Sequence, residues 1–350
     1  MILDAPWIHQ GTTWRNIHTG ATLPINPPGT DPDPPPIAPT SWRAAVDSGD
    51  VTQVATWYET HTGHDGINPN NPNDTPLALN DLTWVEDGIK STHDGQVLEG
   101  LHSNHIRIAH NNVTVRRCRV TDGALYGAYY SPTYGATITG TILEYTTFRI
   151  PVVARAPVLL RPDWTTERSA LVQHCELIGG DSGLQVANNT EARYNYVRDQ
   201  LHLEGVHSTS LSFYNGEGLR AYRNFLTEGT SAVCNLYGTR GWSADLLYQE
   251  NIVGGTIHMP DGRVISPLAS PSYAFTMGAA EEPGQHNVRL IDNWFYGGYQ
   301  YGLMSGDFPW GQNGNVRSGN RALQDFMVQP DSPSNRREYT AGELLPINDE

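Results

Sequence analysis

Apolar and polar positions alternate over short stretches of this chain, never over a long helical period. In NNVTVRRCRVTDG, residues 111 to 123, Val113 and Val115 mark one face of a strand, Val120 resumes it after a slip of register, and Asp122-Gly123 signals a tight turn. The pattern then returns. Aligned on Cys118, it reads VRRCRV, LEYTTF, VQHCEL, ARYNYV, AYRNFL, YQENIV, LIDNWF and RSGNRA, centred on Cys118, Thr146, Cys175, Asn195, Asn224, Asn251, Asn293 and Asn320. The steps are 28, 29, 20, 29, 27, 42 and 27 residues. Short strands repeating at this interval, with Gly and Asn turns and no helical pattern between them, predict the rungs of a parallel β-solenoid. The central position is then a ladder of small polar side chains, filled by Asn in five of eight coils, whose amides can hydrogen-bond from coil to coil. Gly179-Gly180, Gly254-Gly255 and Gly297-Gly298 recur just beyond it.

Composition agrees with a solenoid. A length of 350 residues exceeds one ordinary compact core, but a solenoid grows by adding coils. The 35 glycines and 24 prolines supply turns, while only 17% charged residues and almost no lysine argue against long amphipathic helices. A net charge of -15 makes nucleic acid and anionic membrane poor partners and leaves neutral or amphipathic glycans open. No apolar run is long enough to span a membrane. The start, MILDAPWIHQGTTWRN, lacks the basic and apolar regions of a secretory signal, so the expectation is a chain that stays in the cytoplasm where it is made. Cys118 and Cys175 fall two coils apart, roughly 9 to 10 Å, beyond disulfide reach, and with Cys234 they read as reduced packing residues.

Three segments lie outside the repeat. Residues 1–40 end in NPPGTDPDPPPIAPT, a stretch that reads as a stiff, Pro-rich N-terminal arm. Residues 41–84 contain one or two short helices with Trp42, Val46, Val54 and Trp57 on an apolar side and Ser41 as N-cap, a suitable cover for an open solenoid end. The parallel β-helix is expected over 85–328, followed by a polar tail, 329–350. The long step between Asn251 and Asn293 predicts that residues 256–287 leave the solenoid as an excursion carrying a short strand pair.

The series DGQVLEGLHSNHIRIAHNNVTVRRCRV, HLEGVHSTSLSFYNGEGLRAYRNFL, LLYQENIVGG and VRLIDNWFYGG resembles the right-handed parallel β-helix proteins of the pectate-lyase-like class found as minor tail proteins of phages infecting actinobacteria. The resemblance covers about residues 85 to 325. It implies an all-β, right-handed parallel β-helix, a place in the virion tail after assembly in the host cytoplasm, docking on other tail proteins through residues 1–40, and contact with host cell-envelope glycan. Tail β-helices of this kind are often homotrimers, although this chain carries no triplet-specific signal. Where the family pattern places His, Asp and Gln, this chain has His202, Glu204 and His207. The class holds lyases, hydrolases, adhesins and inert proteins alike, so activity does not follow from fold.

Sugar cleavage needs two carboxylates across a groove, roughly 5 to 10 Å apart. Four residues past the ladder position lie Asp199 and Glu228, matched on consecutive coils, with Glu204 and Asp181 near in sequence; solvated turn carboxylates are the plainer reading. The acidic cluster with downstream Arg of a calcium-bridged galacturonate site is missing, as are the NTD, DD, GHG and RIK elements of polygalacturonases. His102 and His105, with His61, His64, His93 and His110 near in sequence, raise a metal question, but alternation sends the first two to opposite faces; no metal and no cofactor is expected. Trp294, Tyr299 and Trp310, in a late aromatic cluster, are candidates for stacking on sugar faces. The residues and the resemblance together predict a structural tail protein that recognises host-surface glycan. The alternative is a polysaccharide depolymerase, a hydrolase or lyase using Asp199, Glu228 or Glu204.

Overall fold

The computed structural model describes residues 7–10, 13–16, 22–24 and 41–345, except 72, 122–125, 131–137, 152–155, 161–168, 187, 202–207, 215, 228–229, 231, 238–242, 268–270, 278–286, 306–309 and 329–336. The chain divides into two units, 1–38 and 39–350. In the first, Trp7–Gln10, Thr13–Asn16 and Thr22–Pro24 form a three-stranded antiparallel sheet, so the N-terminal segment holds regular structure ahead of its prolines. The Pro-rich run itself, like the Asp122-Gly123 turn, lies outside the described residues.

The second unit is a right-handed parallel β-helix. Each coil contributes a strand in turn to a first sheet of ten strands, Thr83–Val85 to Arg321–Ala322, a second of nine, Ile89–Lys90 to Gly302–Ser305, and a third of nine, Val97–Glu99 to Val316–Ser318. Alternation within each strand sends one column of apolar side chains inward from every sheet. Val120, Phe148, Leu177, Val197, Leu226, Val253 and Phe295 form the first-sheet column, and Val115, Leu143, Val172, Ala192, Ala221, Tyr248 and Leu290 that of the third. All are buried. The slip of register in VRRCRV is the corner between these sheets: Val115 points inward before it and Val120 after it.

The ladder residue occupies that corner. Asn195 Nδ2 donates to Asn224 Oδ1 at 2.9 Å, Asn224 to Asn251 at 2.9 Å, Asn251 to Asn293 at 3.1 Å and Asn293 to Asn320 at 3.0 Å. Each of these oxygens also accepts a backbone N–H from the preceding coil, and Cys175 N–H enters the column on Asn195 Oδ1 at 3.0 Å. Buried amides are tolerated here because donors and acceptors are matched. Cys118, Cys175 and Cys234 are free and buried, and burial pushes the Cys118 thiol up to about 11. Gly254 and Gly179 have a steric reason: a Cβ would lie 2.4 Å from the Tyr296 ring on the first and 2.1 Å from Ile150 O on the second.

Helices α1 (Trp42–Asp47) and α2 (Val51–His61) start at Ser41 and Asp50, whose side chains accept from Ala44 N–H at 3.1 Å and Thr52 N–H at 2.8 Å. This N-terminal cap covers the flank of the solenoid. Trp42, Val46, Val54, Trp57 and Tyr58 pack on the outward residues Tyr196, Phe225 and Ile252 of the first sheet and on Tyr296 and Leu323. Those positions are outward yet aromatic or aliphatic, so the flank needs a cover.

The long step carries an antiparallel pair, Ile257–His258 with Val264–Ile265, as expected. The excursion is nevertheless shorter than the sequence suggests, because Tyr273–Met277 returns to the second sheet beside Ala232–Tyr237. The C-terminal segment is also more ordered than its polarity implies. Arg337–Tyr339 pairs antiparallel with Phe326–Val328, and Leu345 N–H donates to Asn320 O at 2.9 Å, so apolar contacts such as Phe326 with Tyr339 close the last coil.

Candidate functional site

The residue just before each ladder position turns the corner in the left-handed conformation and therefore points outward. Arg117, Tyr145, His174, Tyr194, Arg223 and Glu250 all have φ between 44° and 54°. For side chains of this size that conformation costs roughly 1–2 kcal/mol each, offset by stacking along the row. Tyr145 and His174 lie 4.8 Å apart at 5°, and His174 and Tyr194 5.0 Å apart at 9°. Arg117 and Arg223 close the stack over Tyr145 and Tyr194, each at 5.7 Å.

Beside it runs a second outward row, Glu99, Arg116, Glu144, Gln173 and Arg193, in register on five consecutive strands of the third sheet. Four steps at the usual strand spacing make it about 19 Å long. A loop, residues 68–74, walls it off. Asn68 N–H donates to Asp74 Oδ2 at 2.6 Å, Asn70 N–H to Asn68 Oδ1 at 2.9 Å, and Arg117 pairs with both oxygens of Asp74. The rows and the loop enclose an open groove of about 360 Å³.

The groove is charged but internally paired. Arg116 holds Glu99 at 2.7 Å and Arg193 holds Glu191 at 3.0 Å. Arg193 Nε also donates to Gln173 Oε1 at 2.8 Å, and Gln173 Nε2 donates to Glu144 Oε2 at 2.7 Å. Desolvation alone would raise the Asp74 carboxyl, but hydrogen bonding from Asn68 N–H and the Arg117 guanidinium hold it below the usual range. His174, buried in the stack, is pushed down to about 4 by desolvation, and its Nδ1–H donates to His61 O at 3.1 Å. It is neutral at ordinary pH.

Of the site residues singled out from sequence, the described ones, Asp199, Trp294, Tyr299 and Trp310, do not line this groove. Asp199 follows the first-sheet strand Tyr196–Arg198 and locks the excursion: its Oδ1 accepts from Ser266 N–H at 2.6 Å, its own N–H donates to Ser266 Oγ at 2.9 Å, and Arg198 pairs with Oδ2. It is half-buried and structurally engaged, where the sequence suggested a solvated turn carboxylate. Glu204 and Glu228 lie outside the described residues. Tyr299 is core, 2% exposed, with its hydroxyl donated to Val253 O at 2.9 Å, and so has no free ring face for a sugar. Trp294 packs beneath the helical cap, and its indole Nε1 is buried without a partner. Trp310 is half-buried against the core edge, with Arg317 5.9 Å from its ring. No group of three His, Cys, Asp or Glu side chains among the described residues is arranged to hold a metal. His64 and His102 instead contact Thr147 Oγ1 at 3.1 Å and Thr121 Oγ1 at 2.9 Å.

Searches against protein families, curated proteins and solved structures found no match. The groove residues carry a sequence signal all the same. Reading one place before the first six ladder residues gives Arg, Tyr, His, Tyr, Arg and Glu, a column of large polar and aromatic side chains.

Proposed function

We propose that this chain is a structural component of a phage tail that contacts host cell-surface glycan without cleaving it, with the charged groove as its contact face. The observation that carries the non-catalytic reading is the engagement of Asp199, the one candidate carboxylate among the described residues. Glycoside cleavage needs one carboxyl to carry a proton and another to act as base or nucleophile, roughly 5 to 10 Å away. Asp199 is tied to Ser266 and Arg198, and Glu99 and Asp74 each face an arginine. Asp74, held below the usual carboxylate range, is a poor proton donor. A groove of paired charges and amides on a rigid solenoid suits recognition, since the scaffold fixes the side chains before a ligand arrives. The tail assignment rests on the sequence motifs, with residues 1–40 proposed to dock on other tail proteins.

The depolymerase alternative draws on one observation. Tyr196–Arg198 and Phe225–Thr227 are paired neighbours, so the strands that lead to Asp199 and to Glu228 lie on consecutive coils. Purified protein incubated with host cell-wall glycan separates the readings. We expect no release of reducing ends or unsaturated products above a boiled control; release that disappears in Asp199→Asn with Glu228→Gln would establish the depolymerase. Tail placement is tested by immunogold labelling of virions, where labelling absent from the tail would reject it.

A further inference from the structure

The groove has one carboxylate that its own arginines leave alone. Arg116 is paired to Glu99, Arg117 to Asp74, and Arg193 to Glu191, so these three ion pairs cancel. Glu144 lies between Arg116 and Gln173 in the row, yet among the described residues its carboxylate accepts only from the neutral Gln173 amide, at 2.7 Å to Oε2. The amide is itself oriented by Arg193, which takes up Gln173 Oε1 at 2.8 Å. Arg193 and Gln173 thus hold Glu144, which lines the groove, in one position, and its Oε1 has no partner among the described residues.

We infer that this groove binds a neutral, hydroxyl-rich oligosaccharide, with Glu144 accepting sugar hydroxyls, and discriminates against acidic glycans. This rests on the glycan-contacting reading given above and names the ligand class of that same site. A fixed carboxylate with a free oxygen is a strong acceptor for neutral O–H donors, because a charge-assisted hydrogen bond is roughly twice as strong as a neutral one. The same charge repels a uronate or phosphate, and each of the three groove arginines already faces a carboxylate, so an incoming anion has to compete with an existing ion pair. The net charge of -15 on the chain adds to that repulsion. The Asn68 and Asn70 amides on the wall and the row length of about 19 Å suit an extended oligomer bound by hydrogen bonds along its length.

The test is binding of the full chain to neutral hexose oligosaccharides and to oligogalacturonides of matched length, by calorimetry at low and moderate salt. We expect at least one neutral oligomer to bind and the oligogalacturonides to bind at least tenfold more weakly. Glu144→Gln should weaken neutral binding about tenfold with an unchanged melting temperature. Glu144→Lys should lose neutral binding and gain affinity for the oligogalacturonide. Stronger binding of acidic oligomers by the natural chain, or neutral binding unaltered in both variants, would overturn the ligand class while leaving glycan contact intact. Absence of binding to every neutral and acidic oligomer would overturn both.

Discussion

At the scale of the residue, the two columns at the corner between the third and first sheets have opposite chemistry. The inner one is a chain of amides in which each asparagine is both donor and acceptor. Asn224 accepts from Asn195 N–H and Nδ2 and donates to Ala192 O and Asn251 Oδ1. Asn224→Ala therefore leaves a buried N–H and a buried carbonyl without partners, and we expect a loss of about 3 kcal/mol by chemical denaturation, against less than about 1 kcal/mol for an exposed control such as Asn70→Ala. The outer column contains His174, whose ring charges only at a cost. An unfolded histidine titrates near 6.5, and the folded one near 4, so the unfolded state takes up the proton first. Stability contributed by neutral His174 is complete above about pH 6.5 and is lost as the pH falls towards 4, by at most roughly 3 kcal/mol. His174→Phe should be less stable than the natural chain at pH 7, where the bond to His61 O is missing, and the gap should narrow or invert at pH 4.5. A gap that stays constant with pH would show that His174 is not the titrating group.

At the scale of the element, α1 and α2 replace solvent over a strip of first-sheet aromatics. A polar pin strengthens the attachment: Trp42 Nε1–H donates to Tyr58 Oη at 3.0 Å, and the Tyr58 hydroxyl donates to Arg223 O. Arg223 O belongs to the outward corner column, so this pin joins the cap to that column. Tyr58→Phe strips a partner from each end while keeping the ring, and a loss of about 1–2 kcal/mol is expected. Trp57→Ala, which removes a buried ring from the cap interface, should cost about 3–5 kcal/mol. The excursion hairpin shares this interface through Ile257, Met259 and Ile265, and Arg263 reaches Glu59 of α2 at 2.8 Å. Cap and excursion are thus one packing unit, although some 200 residues separate them in sequence.

At the scale of the whole molecule, the β-helix is a one-dimensional stack whose stability varies along its axis. Coils from Tyr196 to Leu323 have the cap on one flank, whereas Trp84 and Val97 in the first coil are each 51% exposed. Native-state hydrogen exchange should find the slowest amides in first-sheet strands Tyr196–Arg198, Phe225–Thr227 and Ile252–Gly254, and faster exchange in Thr83–Val85 and Val97–Glu99. Equal protection along the axis would mean that the solenoid opens as a single unit and the flank contributes nothing local. The groove sits over strands from Glu99 to Arg193, towards the less braced end. Ligand binding there should slow exchange in those coils first.

Local repetition was enough for the parallel β-helix, the inward columns and the asparagine ladder, because a solenoid repeats the same short-range contacts and the period in sequence is the period in space. The reduced, buried Cys118 and Cys175 followed from that register. Tertiary packing decided the rest. That the helices lie on a flank and that the C-terminal segment closes the last coil depend on pairings between distant parts of the chain, which no periodicity encodes. Asp199 matched a catalytic spacing in sequence, and only the fold brings Ser266 and Arg198 onto it. Tyr299 looked like a sugar platform until burial against Val253 was known. The groove belongs to both levels: its outward column was legible one residue before the ladder, but its wall, its ion pairs and the held position of Glu144 exist only because residues 68–74 and five successive strands meet in space.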